Sequence, residues 1–195
     1  MPRWTPLKRD VLDSLADEFL HNYGKGRTII AVEGDAAFAD DFAERLGRGG
    51  HAVFRASIGD FQRPRADREV RGADTPEGYY RDAFDYSQFR RVLVEPFRMG
   101  GSTGFVTAAF DVERDQPIEM DWKTGPQDAT LVVDGAFLLR PELRGIWNWS
   151  VWLDVPRAAD AAQKLYLADN PSSRASANVD NGDPERPRRV FADSC

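Results

Sequence analysis

Cysteine is nearly missing from this chain. Among 195 residues there is one, Cys195, at the last position. That excludes an internal disulfide and any cysteine-built metal site, and the cytoplasm is the expected compartment. Histidine is almost as scarce, with only His21 and His51. Neither has a Glu or Cys partner at metal-ligand spacing, so both read as structural and no metal is expected. No apolar run approaches the ~20 residues of a membrane span, and no signal-peptide pattern opens the chain, so no membrane partner is expected. Positive charge is in deficit: 26 Lys and Arg stand against 32 Asp and Glu, a net charge of -6. The longest basic clusters, Arg63–Arg71 and Arg186–Arg189, are broken by acids or prolines. Both facts argue against nucleic acid as a partner.

One further absence is local. Thr28–Val32 is a short apolar, β-branched run of the kind that forms a buried strand. Phe38, Phe42 and Leu46 then recur every four residues between acids, which predicts an amphipathic helix. A strand, a glycine turn and a helix are the setting of a phosphate-binding loop. Such a loop needs G-x-x-x-x-G-K-[ST], whose backbone N–H groups and lysine surround phosphates and whose hydroxyl holds Mg²⁺. Here Gly34 is followed by Asp35, Ala36 and Ala37, with no second glycine, no lysine and no hydroxyl before Phe38. Asp35 also puts negative charge where phosphates would sit.

What is present has α/β order. The chain length suits one domain with one good core. Pro6–Tyr23 has apolar residues at helical spacing and is stopped by Gly24 and Gly26. His51–Ser57 is a second strand, and the charged loop Gly59–Arg71 leaves its carboxyl end, where open α/β sheets bind ligands. Two helical patterns follow in Pro76–Phe97, with Pro96 marking the end of the second. Phe105–Phe110 and Asp111–Arg114 read as a hairpin or an excursion. Ala129–Asp134, apolar throughout and closed by an acid, suits a central parallel strand. Trp147–Val155 is another strand, Ala158–Leu167 a short helix, and Ser176–Val179 a last strand. The alternation predicts a doubly wound, mainly parallel sheet flanked by helices, a three-layer sandwich.

Several segments, among them RTIIAVEG, GDFQRPR, TPEGYYRDAFDYSQFRRVLVEPF, DATLVVDGAFLLRPELRG and QKLYLADNP, give the chain a family look. It resembles the uridine kinase-like branch of the P-loop kinases, related to phosphoribulokinase and pantothenate kinase. The resemblance runs from about Thr28 to Pro187, a core of residues 27–187 behind an N-terminal helix in 1–26. It implies a P-loop kinase-like fold and, for the family, Mg-ATP-dependent phosphorylation of a hydroxyl on a nucleoside or similar acceptor. Three departures set this chain apart. The family's longer phosphate loop is absent between Gly34 and Phe38. The family's D-D-F-H-R after the second strand reads Gly59-Asp60-Phe61-Gln62-Arg63, so Gly59 stands where the acceptor-activating base belongs and Asp60 comes one residue later. The arginine-bearing lid is reduced to the few residues between Pro156 and Gln163.

The acceptor side is better kept. By the resemblance, Asp60, Phe61, Arg63, Tyr79, Tyr80, Phe84, Asp85, Arg98, Asp111 and Trp122 stand in or near the acceptor pocket, and Asp134 matches the acid near Mg²⁺. Each has an ordinary structural alternative: Tyr80 and Phe84, four apart, suit a core, and Asp134 suits a turn cap at Gly135. Phosphoryl transfer works by positioning and charge neutralisation, and this chain lacks the donor-side cations. The first reading is therefore an ATP-independent, small-molecule-binding protein without a cofactor. As a biosynthetic enzyme it would use acid–base chemistry such as dehydration, cyclisation or hydrolysis. Asp60 and Asp85 are its catalytic candidates, Glu33, Asp35 and Asp111 further carboxylates, and Arg63 an anchor for the ligand. The second is a nucleoside-type kinase using Mg-ATP, whose mobile loop and lid are not part of this sequence. The third is a non-catalytic partner subunit. A homodimer is a further expectation.

Overall fold

The structure is a computed structural model that describes residues 6–155 and 159–191. The strands are β1 (Arg27–Glu33), β2 (Ala52–Ser57), β3 (Ala129–Gly135), β4 (Trp149–Asp154), β5 (Ala177–Asp180) and β6 (Arg188–Val190). They form one sheet in the order β2-β3-β1-β4-β5-β6. Every pairing is parallel except the last, in which β6 runs antiparallel to β5. The predicted α/β fold class, with Ala129–Asp134 central, is what the structure has.

Both faces of the sheet are covered, and successive residues of a strand feed opposite cores. On β1, Ile29 and Ala31 face one core, and Ile30 and Val32 the other. On β3, Leu131 and Val133 divide from Val132 in the same way. One layer holds α1 (Lys8–Tyr23) and α2 (Ala36–Gly47). Their buried stripes, Leu15 and Phe19 on α1 and Phe38 and Phe42 on α2, meet Trp149 of β4. Its ring lies 5.9 Å from Phe19 and 6.0 Å from Phe42. β6 is clasped to this layer by the ion pair between Arg189 and Glu18, and Lys8 donates its backbone N–H to Glu185 O at 3.3 Å.

The opposite layer holds α3 (Pro76–Asp82), α4 and α5 (Ala161–Leu167). α4 is continuous: Tyr86–Phe89, a π-helical stretch Arg90–Val94, then Glu95–Met99. Pro96 therefore does not end it at Phe97. Proline lacks the N–H that would bond the carbonyl four residues back. The Val92 carbonyl instead accepts from Val106 N–H at 3.0 Å, and the widened π turn relieves the clash. The chain then passes through a short hairpin, Phe110–Asp111 against Gln116–Pro117.

The strand expected from Trp147 begins at Trp149; ahead of it Asn148 meets Ile29 through both its backbone and its side chain, its backbone N–H donating to Ile29 O at 2.8 Å. Its Oδ1 accepts from Ile29 N–H at 2.8 Å, and the Trp147 indole N–H turns to Leu138 O at 2.7 Å. His51 bonds Thr130 Oγ1 at 2.8 Å. No helix among the described residues is long and apolar enough to cross a membrane. The shortened lid expected from Pro156 lies partly outside the described residues, as does Cys195.

Trp149 is the shared contact of α1, α2 and the sheet, so its loss leaves a cavity between three elements. Trp149→Ala should lower unfolding free energy by about 3–5 kcal/mol. A lower urea midpoint with unchanged slope, followed by far-UV circular dichroism, checks it.

Candidate functional site

The carboxyl ends of β1, β3 and β4 open onto a cavity of about 420 Å³. Glu33 and Gly34 form its β1 wall, Gly135 and Phe137 its β3 wall, and Trp152 and Asp154 its β4 wall. Tyr79 of α3 covers it from one side, and Asp160 and Gln163, at the start of α5, from another. The site thus lies where the topology of an open α/β sheet places one.

Glu33 organises this rim. It is buried, and its two carboxylate oxygens accept from Phe137 N–H at 2.7 Å and Leu138 N–H at 2.6 Å. A third bond comes from the Tyr166 hydroxyl at 2.9 Å, which itself accepts from Leu139 N–H at 2.9 Å. Burial pushes the Glu33 carboxyl up from the ordinary 4.5 to about 7, against the lowering effect of those hydrogen bonds. Burial and the Glu33 charge likewise raise the Tyr166 hydroxyl. The turn that Glu33 holds is conformationally costly. Gly135 has φ +136°, and a Cβ there would sit 2.4 Å from Ile58 Cγ2. Phe137, a non-glycine residue, has φ 64°. Its ring is seated among aromatics: Tyr79 at 5.5 Å, Tyr80 at 5.1 Å and Tyr166 at 5.2 Å between centroids.

The β1–α2 connection is two residues long, Gly34 and Asp35. Asp35 caps α2, accepting from Phe38 N–H at 3.1 Å, and its other oxygen accepts from Asn181 Nδ2 at 3.3 Å. On the neighbouring strand ends, buried Asp134 pairs with Arg55 Nη2 at 2.8 Å and accepts from Ser57 Oγ at 3.3 Å. Arg55 also reaches Asp40 of α2 at 2.8 Å. Asp60, in the turn Ile58–Phe61 after β2, has its carboxyl raised by burial and by the Asp134 charge.

Of the residues singled out from the sequence, Glu33 and Tyr79 line the cavity. Tyr80 and Phe84 are buried in the aromatic cluster behind it, and the Arg140 guanidinium stacks on Tyr80 at 4.4 Å. Phe61 is core. Asp85 caps the start of α4 through Gln88 N–H at 2.8 Å. Arg63 ties its backbone to Ala83 O at 2.9 Å. Arg98 holds the carbonyls of Gly145 and Ile146, Asp111 accepts two N–H bonds within its own hairpin, and Trp122 is exposed beside Gly104. Asp60, Asp85, Arg63, Arg98, Asp111 and Trp122 are not among the described residues lining the cavity. Sequence reading missed Tyr166, Arg55 and the Trp152–Asp154 wall. Arg55 carried a usable signal, since a charge inside an apolar strand requires a buried partner. Tyr166 stands four residues after Ala162 on the buried face of α5, the spacing of a core residue.

A raised carboxyl has a definite thermodynamic sign. Between about pH 4.5 and 7 the folded state keeps a proton on Glu33 that the unfolded state has lost. Stability should therefore fall as pH rises through this window, by on the order of 3 kcal/mol at most, and level off above it. Glu33→Gln should remove that segment of the pH profile. Urea denaturation of both proteins across the window measures it.

No protein-family model and no curated protein matches the chain. Solved structures do. A possible uridine kinase from Bacillus stearothermophilus superposes with a TM-score of 0.75 at 23% identity, over 88% of this chain and 98% of that one. A candidate fructose transport system kinase from a Silicibacter species gives 0.60 at 22% identity, over 83% of this chain and 82% of that one. The chain has the α/β fold of the P-loop kinases, in the form taken by uridine kinase-like proteins.

Proposed function

We propose that this chain binds a small molecule without ATP, in the cavity at the carboxyl ends of β1, β3 and β4. The observation that carries the reading is the Gly34–Asp35 turn. In a phosphate-binding loop, the N–H groups and dipole of the following helix serve phosphate oxygens. Here a carboxylate of the chain itself takes that place, bonded to Phe38 N–H and to Asn181. Mg-ATP fits this rim poorly on a second count. Asp134, which by the resemblance would stand near Mg²⁺, already has a guanidinium cation at 2.8 Å.

The cavity and its acid support the rest of the reading. Glu33 is the carboxyl best placed for proton transfer, because it lines the cavity and its pKa of about 7 suits an acid or base at neutral pH. Asp60, also raised, lies outside the cavity lining in the turn after β2, and the Asp85 carboxylate is engaged in a helix cap, so both rank behind Glu33. Dehydration, cyclisation and hydrolysis are the reaction types such a site serves.

A Mg-ATP site with a dissociation constant of about 10 μM would add about 2.7 kcal/mol of stability at ~1 mM nucleotide, a rise of several degrees in melting temperature. The expected result is no rise, read by differential scanning fluorimetry with and without Mg-ATP. A rise of that size would overturn the reading.

A further inference from the structure

A second cavity, of about 190 Å³, lies at the other end of the sheet, between the β3–β4 connection and the residues that open β4 and precede β5. Its polar lining has more hydrogen bonds to give than to accept. Ser150 and Ser176 are locked reciprocally: each backbone N–H donates to the other's hydroxyl oxygen, at 3.1 and 3.2 Å. Each hydroxyl proton is left over, with no acceptor among the described residues, and Ser150 is only 4% exposed. The Arg144 guanidinium, also in the lining, has no hydrogen-bond or ion-pair partner among the described residues. Arg174 gives N–H groups to two backbone carbonyls, Asp169 O at 2.8 Å and Leu139 O at 3.3 Å, and pairs with no carboxylate among the described residues. The acceptors of the β3–β4 connection are already engaged. The carbonyls of Leu138, Leu139 and Gly145 accept from Trp147, Arg174 and Arg98. The one acid of that connection, Glu142, holds Arg140 through both its oxygens.

We infer that this cavity is a second binding site, separate from the one at the carboxyl ends of the strands, and that it takes an oxyanion group, a phosphate or carboxylate. Two unspent hydroxyl protons and two guanidinium groups without a carboxylate border one small space, and buried donors require acceptors. An oxyanion supplies several acceptor lone pairs at once and makes charge-assisted bonds to guanidinium groups. The volume is below the ~300–1,000 Å³ of pockets for drug-sized ligands, so it suits the anionic group itself and not a whole nucleotide. The serines and Arg174 are held in place by the bonds described above. Arg144, exposed and bound to no described residue, is the arm free to close on the anion.

Inorganic phosphate and acetate are the probes, each titrated into the full chain at neutral pH with ionic strength held constant by sodium chloride. The backbone N–H resonances of Ser150 and Ser176 and the Trp147 indole N–H are the readout. At least one probe should give saturable shifts there with a dissociation constant of about 1 mM, and the tighter of the two tells whether the site takes a phosphate or a carboxylate. Arg144→Gln should weaken that probe about fivefold or more and leave the melting temperature unchanged. Arg91→Gln removes an equally exposed arginine that is not in the described lining, and it should leave binding unchanged. No saturable shift from either probe at ~20 mM would overturn the inference, as would an Arg144→Gln variant that binds unchanged. Equal weakening by Arg91→Gln would also overturn it, since the attraction would then be diffuse surface charge. Asp193 lies outside the described residues. Binding that emerges only in Asp193→Asn would overturn the inference too, because a carboxylate of the chain itself would then fill the site.

Discussion

One buried carboxylate holds the carboxyl-end rim of the sheet together. Glu33 ends β1, and the donors it binds come from the turn after β3 and from α5. Those bonds keep Phe137 in a left-handed conformation that costs of order 1–3 kcal/mol for a residue with a side chain. They also bring the Phe137 ring into the cluster formed by α3 and α5. Without an acceptor at position 33, two buried N–H groups would lose their partner, each at about 1–3 kcal/mol. The same pinning explains why the carboxyl is both structural and titratable. It has too few bonds to offset full desolvation, and so retains its proton to a higher pH.

Next to this pin, α2, the β2 edge and the segment after β5 are tied to one another. Asp35 bonds its own helix and Asn181, beyond the end of β5. Arg55 draws α2 and β3 to the β2 edge through Asp40 and Asp134. A guanidinium suits this junction because its planar fork reaches several acceptors, including the Val132 carbonyl at 2.9 Å. The cation that balances Asp134 is therefore a fixed part of the chain.

The sheet was legible because its signals are local. The run Thr28–Val32 and the segment Ala129–Asp134 carry their own burial pattern, and a doubly covered parallel sheet demands that pattern. The missing lysine after Gly34 was plain in the sequence, whereas the cap that Asp35 forms on α2 and its bond from Asn181 were not read from it. The Glu33 site was not legible, because its partners lie 104, 105 and 133 residues away. A glutamate at a strand end looks the same whether it meets two N–H groups or water. Pro96 misled for a related reason, since the partner that frees the helix to continue, Val106, belongs to another segment. Asp85 and Asp111 have the composition of site residues, and short-range capping bonds, available to any Asp beside a turn, engage both.

The clasp between β6 and α1 has a consequence for how the fold opens. β6 is a three-residue strand that, among the described residues, pairs with β5 alone, and such an element would ordinarily fray first. The pairing of Arg189 with Glu18 attaches it to a helix whose buried face reaches the centre of the sheet through Trp149. Fraying of β6 therefore also breaks a contact of α1. β6 is itself a short edge, preceded by Pro187 and carrying Arg188 and Arg189, a combination that discourages further strands from adding to it.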